Sequence, residues 1–162
     1  MTGSGDRQTL LILGASGDLA GRLLLPGLGG LLASGIAGSL QLVGDILARI
    51  ERRGFVLRAG KLIHVDRSLG ETHYAEHKEK PFFGELVDFI TSGPTLVLVV
   101  EGEGVIATMR KTIGATNPAD AEPGSIRGDL ANSMPDNLVH GSDSPESAKR
   151  EVALWFSDDE LV

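Results

Sequence analysis

The 162-residue chain has no cysteine. Disulfides, thiol nucleophiles and cysteine-based metal sites are therefore excluded. Positive charge is also short: 15 Lys and Arg stand against 22 Asp and Glu, a net charge of −7. With a pI near 5.0, the chain does not read as a general nucleic-acid binder. Any anionic substrate would need its own local cluster of Arg or Lys. The first residues, "MTGSGDRQ", lack the basic and apolar regions of a secretory signal, so the expected location is cytoplasmic. One run, Leu23 to Val43, has 21 residues without a charge. Length alone would let it cross a bilayer. It carries five glycines, Pro26 and no aromatic anchor, and is read as buried protein interior, with no membrane partner.

Composition divides the chain. Residues 1–44 hold 11 of the 22 glycines and four charged residues, Asp6, Arg7, Asp18 and Arg22. Expected elements are a buried strand at Thr9–Leu13, an apolar helix at Ala20–Ala33 and a helix over 42–53 closed by Gly54. A strand at Phe55–Val65, a short helix over 66–78 and a helix from Pro81 to Thr91 follow. Thr95–Val100 reads as a fully buried strand, Val105–Ile113 as a helix and 114–136 as a long loop. Leu138–His140 is a short strand, and Ser144 caps a last helix ending near Phe156. Strands alternating with helices indicate an α/β or α+β sandwich.

The chemistry concentrates in "DNLVHGSDS", residues 136–144. His140 ends a short strand, and Gly141 and Ser142 permit close backbone approach. Glu151, seven residues past the Ser144 cap, sits on a helix face able to turn back to the imidazole. A carboxylate that orients an imidazole makes it a better nucleophile. Arg110, Thr116 and Arg127 are read as spread across the long loop, and Arg is the preferred partner of phosphate. Singly each reads as a surface residue; together with His140 they indicate a polyphosphate site. His73-Tyr74-Ala75-Glu76-His77 also matches an inverted zinc-protease pattern, with two histidines one helical turn apart.

Five stretches, "HYAEHKEKPFF", "FITSGP", "GATNPADAEPGSIRGD", "NLVHGSDSPESAKREVALWF" and "DDELV", resemble the nucleoside diphosphate kinase family from about Gly44 to Val162. The resemblance implies that His140 carries the γ-phosphate of a nucleoside triphosphate to a nucleoside diphosphate. It makes Glu151 the orienting carboxylate, with Ser142 beside them. Arg110, Thr116 and Arg127 would hold phosphates, Tyr74 would lie near the transferred group, Phe82 would stack on the base and Asn137 would bond the ribose. Mg²⁺ would bridge phosphate oxygens rather than occupy a protein cage. A homo-oligomer, hexamer or tetramer, is implied. The stretch from His73 to His77 is then a normal part of that resemblance, where it presents Tyr74, and no protein-held metal is expected.

The front differs. "TLLILGASGDLAGRLLLPGL" resembles the opening strand, loop and helix of glucose-6-phosphate dehydrogenase. Glycines after a strand let backbone N–H groups at a helix start meet a phosphate. No Gly-Lys-Ser/Thr follows, so this is not a P-loop, and a lone strand–loop–helix lacks the rest of a cofactor crevice. Asp45 lies 31 residues past Gly14, beyond the roughly 20 of a ribose-binding acid, and reads as part of a helix. The chain thus reads as one domain, 1–162, a chimera with a dehydrogenase-like segment at 1–44 and a kinase-like body at 45–162. The expected fold is an α/β (α+β) ferredoxin-like sandwich, an antiparallel sheet covered by helices, with a Rossmann-like strand–loop–helix at the front. In the resembled family a Lys-Pro-Asp-Gly loop follows the first strand. "GASGD" replaces it here, so transfer is expected to be impaired. The alternatives are an engineered chimera with little or no activity, or a dinucleotide-binding fragment.

Overall fold

A computed structural model of the chain describes residues 8–14, 36–132 and 138–162. Four strands form one sheet: β1 (Gln8–Gly14), β2 (Val56–His64), β3 (Pro94–Glu101) and β4 (Val139–Gly141). Their order is β2-β3-β1-β4, with every neighbouring pair antiparallel. That is the ferredoxin-like arrangement. The helices are α1 (Ile36–Arg52), α2 (Arg67–His73), α3 (Phe83–Thr91), α4 (Val105–Ile113), α5 (Ile126–Leu130) and α6 (Pro145–Trp155).

The run at β3 is apolar throughout because both of its faces are covered. Leu98 and Val100 pack with Ile46 and Ile50 of α1 and with Val105, Ile106, Met109 and Ile113 of α4. Val97 and Val99, pointing the other way by strand alternation, pack with Ile90 of α3 and with Val152 and Trp155 of α6. Helix α1 buries the four-residue series at Ile46 and Ile50. It ends before Gly54, whose φ of +75° is costly for any side chain. Asp45 sits within α1 and pairs with Arg49 at 2.9 Å. In α6, the Ser144 hydroxyl accepts from the Ser147 N–H and Pro145 occupies the first turn.

Strand β1 pairs antiparallel on both sides, and Ile12 lies opposite His140. No parallel partner of the kind a Rossmann-type first strand requires occurs among the described residues. The glycine loop beyond Gly14, Arg22 and the helix expected at Ala20–Ala33 lie outside those residues. Helix α1 begins at Ile36 rather than 42. The uncharged residues 36–42 give no polar face against which a helical period can be read. The helix expected over 66–78 breaks at Tyr74 into α2 and a 3₁₀ turn at Ala75–His77. The loop expected at 114–136 contains a 3₁₀ turn at Pro118–Asp120 and the short helix α5. Both open on side-chain caps, Asn117 and Ser125, residues that read equally well as loop.

Helix α5 is held tightly. The Ser125 hydroxyl donates to the Glu122 carbonyl at 2.6 Å and accepts from the Gly128 N–H at 3.1 Å. A Cβ on Gly128 would stand 2.2 Å from the Glu122 carbonyl oxygen. Gly128→Ala therefore forces backbone to move. It should cost about 1–3 kcal/mol, measured as a lowered urea midpoint with an unchanged slope.

Candidate active site

His140 occupies the middle of the three-residue strand β4. Its backbone is fixed by the ladder to β1, so the ring is aimed by the sheet. The preceding Leu138 has φ +68°, a strained value for a bulky residue. The His140 side chain is one-third exposed, and its Nε2 lies 3.4 Å from Glu151 Oε2. Glu151, on α6, is 5% exposed. The Ser142 hydroxyl donates to that same Oε2 at 2.6 Å. Burial pushes the Glu151 carboxyl up, but hydrogen bonding and charge from His140, with the Ser142 hydroxyl, outweigh it and hold it below its usual range. A carboxylate at Nε2 leaves the Nδ1 lone pair of His140 available for attack.

His140 and Glu151 line a cavity of about 530 Å³, a size suited to a small ligand. Tyr74, Phe82, Arg110, Thr116 and Arg127 line it as well. The structure thus brings together seven of the nine expected site residues. Ser142 is buried and is joined to the site by its hydrogen bond to Glu151. Asn137 lies outside the described residues. Arg127 donates to the carbonyls of Gly114 at 3.0 Å and Val139 at 2.6 Å. Burial, then the Arg110 charge, push its guanidinium down to about 10. Two cations held close in a partly buried cleft form a site for an anion. Burial, then the Glu151 charge, push the Tyr74 hydroxyl up to about 12, so it stays protonated. Phe82 is exposed at the N-terminus of α3.

Two residues at the site carried no role in the sequence reading. His73, at the end of α2, is 6% exposed, and its ring stands 4.9 Å from the His140 ring at 86°. The Trp155 indole Nε1 donates to His73 Nδ1 at 3.2 Å. The only advance signal for His73 was its place in the zinc-like pattern. Ligand atoms of His73, His140 and Glu151 do lie within 4.8 Å of one another, so the metal-like group is not the 73/77 pair. It is a poor metal site. An indole N–H can only donate, so Trp155 takes the Nδ1 lone pair and leaves the proton on Nε2. His73 then has no lone pair for a cation.

The nucleoside diphosphate kinase family model matches residues 37–161. A nucleoside diphosphate kinase of Halalkalibacterium halodurans is 62% identical over 121 residues, covering 75% of this chain and 82% of the relative. One of Rubrobacter xylanophilus is 61% identical over 116 residues, 72% of this chain and 87% of the relative. Among solved structures, a halophilic nucleoside diphosphate kinase from Halobacterium salinarum in complex with CDP superposes with a TM-score of 0.79 at 40% identity. It covers 97% of this chain and 91% of that one.

The buried imidazole sets an acid limit. Burial, then the His140 charge, push His73 from 6.5 down to about 3. As the pH falls through that window the unfolded chain binds a proton that the folded chain refuses. Stability therefore drops, by up to about 1.4 kcal/mol per pH unit from this group. Glu151, held low, adds the same sign further down. Urea unfolding across the window should show a shallower acid slope for His73→Gln than for the unmodified chain.

Proposed function

The chain belongs to the nucleoside diphosphate kinase family, and on that basis we propose that it transfers phosphate through a phosphohistidine on Nδ1 of His140. The observation that carries this is Glu151 at Nε2, since it directs the ring's free lone pair into the cavity chemistry. Nδ1 forms a bond to the γ-phosphorus of a nucleoside triphosphate. The bond from phosphorus to the β–γ bridging oxygen breaks, and the diphosphate departs with that electron pair. A terminal oxygen of a second nucleoside diphosphate then takes the phosphoryl group, and the pair returns to Nδ1. Glu151 stabilises the ring while it carries positive charge, and Ser142 holds Glu151.

Arg110, Arg127 and Thr116 hold the phosphates, Tyr74 donates near the transferred group, Phe82 stacks on the base and Asn137 bonds the ribose. Stacking alone tolerates any base. The solved relative bound to CDP supports a nucleoside diphosphate as ligand. Among the described residues the one group that could hold a metal is His73, His140 and Glu151, whose His73 lone pair is taken by Trp155, so Mg²⁺ would arrive on the nucleotide. Arg110 and Arg127 would hold the phosphates, and the ion would supply further neutralisation of their charge. Among the described residues no helix is long and apolar enough to cross a membrane. Strand β2 lies at the sheet edge with Val56, Leu57 and Leu62 exposed. That open apolar edge supports a homo-oligomer.

The glycine-rich, charge-poor front supports the chimera reading and a slow enzyme. A dinucleotide-binding fragment would instead bind a nicotinamide cofactor and take no label. Three outcomes are expected. Incubation with γ-labelled ATP gives acid-labile label that His140→Ala abolishes; label retained elsewhere overturns the nucleophile. Arg110→Ala or Arg127→Ala weakens ADP binding about tenfold or more, since a charge-assisted contact contributes roughly 1.5–3 kcal/mol. Phe82→Ala weakens purines and pyrimidines alike.

A loop graft tests the impairment. Replacing Gly14–Asp18 by a Lys-Pro-Asp-Gly turn should raise turnover, on the order of 10²–10³ for one charge-assisted contact restored in the transition state. Stopped-flow transfer to a deoxynucleoside diphosphate measures it. Family-like turnover in the unmodified chain would sink the proposal.

A further inference from the structure

His73 contributes no contact that the phosphohistidine reading requires, yet it is nearly as buried as the core. Its Nδ1 accepts from Trp155 Nε1 at 3.2 Å. Its Nε2 is buried with no hydrogen-bond partner. A buried donor left unpaired is costly, and each such group calls for an explanation, a role in the site's chemistry among them. The ring lies edge to face with three others: Tyr74 at 4.6 Å, His140 at 4.9 Å and Trp155 at 5.4 Å. One of its nitrogens falls within 4.8 Å of a His140 ring nitrogen and of a Glu151 carboxylate oxygen. An imidazole that close to the nucleophile has two possible behaviours. With its lone pair facing His140 it would compete with Glu151 for the His140 proton. With its lone pair committed elsewhere it is only a wall.

We propose that His73 is a positioning residue for phosphoryl transfer: Trp155 locks its proton onto Nε2 and turns its lone pair away, so that it braces the His140 ring and leaves the Nε2 proton of His140 to Glu151. The inference rests on His140 being the phosphate carrier. The lock also keeps a second positive charge from forming beside the imidazolium. The charged and titratable groups around His73 are His140 on β4, Glu151 and Arg150 on α6, His77 in the 3₁₀ turn and the neighbouring Tyr74 phenol. Arg150 and His77 disfavour a charge on His73, as does a protonated His140, and Glu151 favours one; burial exceeds them all. The ring therefore remains neutral across the working range.

The tests use the full chain. Nitrogen-15 NMR of histidine-labelled protein at neutral pH should show Nδ1 of His73 unprotonated and Nε2 protonated. In Trp155→Phe the lock is removed, and the two tautomers should mix. A His73 that carries its proton on Nδ1 in the unmodified protein overturns the proposal. Single-turnover labelling by γ-labelled ATP supplies the functional arm. His73→Phe keeps a ring but offers Trp155 no acceptor; it should slow labelling tenfold or more and change ADP affinity less than twofold. His73→Asn returns an acceptor for the indole and should recover a measurable part of the loss. Equal labelling rates and pH profiles in the unmodified protein and His73→Phe overturn the positioning role, as does a loss in ADP affinity as large as the loss in rate. Absence of label at His140 in the unmodified protein would remove the phosphohistidine reading and this one with it. Normal label there with unaffected variants removes this one alone.

Discussion

A buried carboxylate eleven residues from its imidazole partner is the constraint around which the site is built. Glu151 is taken almost fully out of water, which is tolerable only if its oxygens are occupied. Oε2 receives the Ser142 hydroxyl and faces the His140 ring. The short path from β4 through the Ser144 cap into α6 brings the two together. The cap fixes where the helix begins, and hence which face carries residue 151. Without the cap, the register of α6 would be less sharply set, and the carboxylate would be buried without its partners.

The cationic side of the cavity depends on a comparable arrangement. Arg127 belongs to a five-residue helix that could not persist by its own backbone bonds. It is held from outside. Arg49 on α1 reaches Asp129 at 2.8 Å and the Gly124 carbonyl at 2.9 Å. The Gly124 N–H, together with Arg49, holds the Asp129 carboxyl below its usual range. Ser125 caps the helix start. The guanidinium of Arg127 then bonds the Gly114 and Val139 carbonyls, tying the end of α4 to the strand that carries His140. Anchoring a cavity-lining cation to backbone keeps it in place before any ligand arrives, which reduces the ordering cost of binding.

Much of this was legible in the residues. His140, Glu151 and the two arginines could be grouped because each lies in or beside a segment with its own local signal, such as a cap, a glycine or a short apolar run. The strand at β3 was legible because burial on both faces leaves an unbroken apolar run. His73 was not, since its partner Trp155 stands 82 residues away and the zinc-like spacing pointed to His77 instead. Helix α5 escaped because five residues with a central glycine have no period to detect. The early start of α1 escaped because its first turns contain no charged residue.

The position of β1 shows what a strand contributes to such a site. It lies between β3 and β4 and pairs with both, so the ladder that fixes His140 is made of main-chain bonds to residues 11–13. Main-chain pairing does not read side-chain identity beyond the alternation of faces. A "TLLIL" segment therefore serves as the central strand whatever protein its sequence resembles. The loop that follows a strand is different, because its chemistry lies in its side chains. Changing the side chains of a strand that keeps its pairing therefore leaves the aim of the histidine in place. The fold of this chain thus rests on pairing and burial, while the cavity around His140 depends on a few charged side chains brought to it by separate elements.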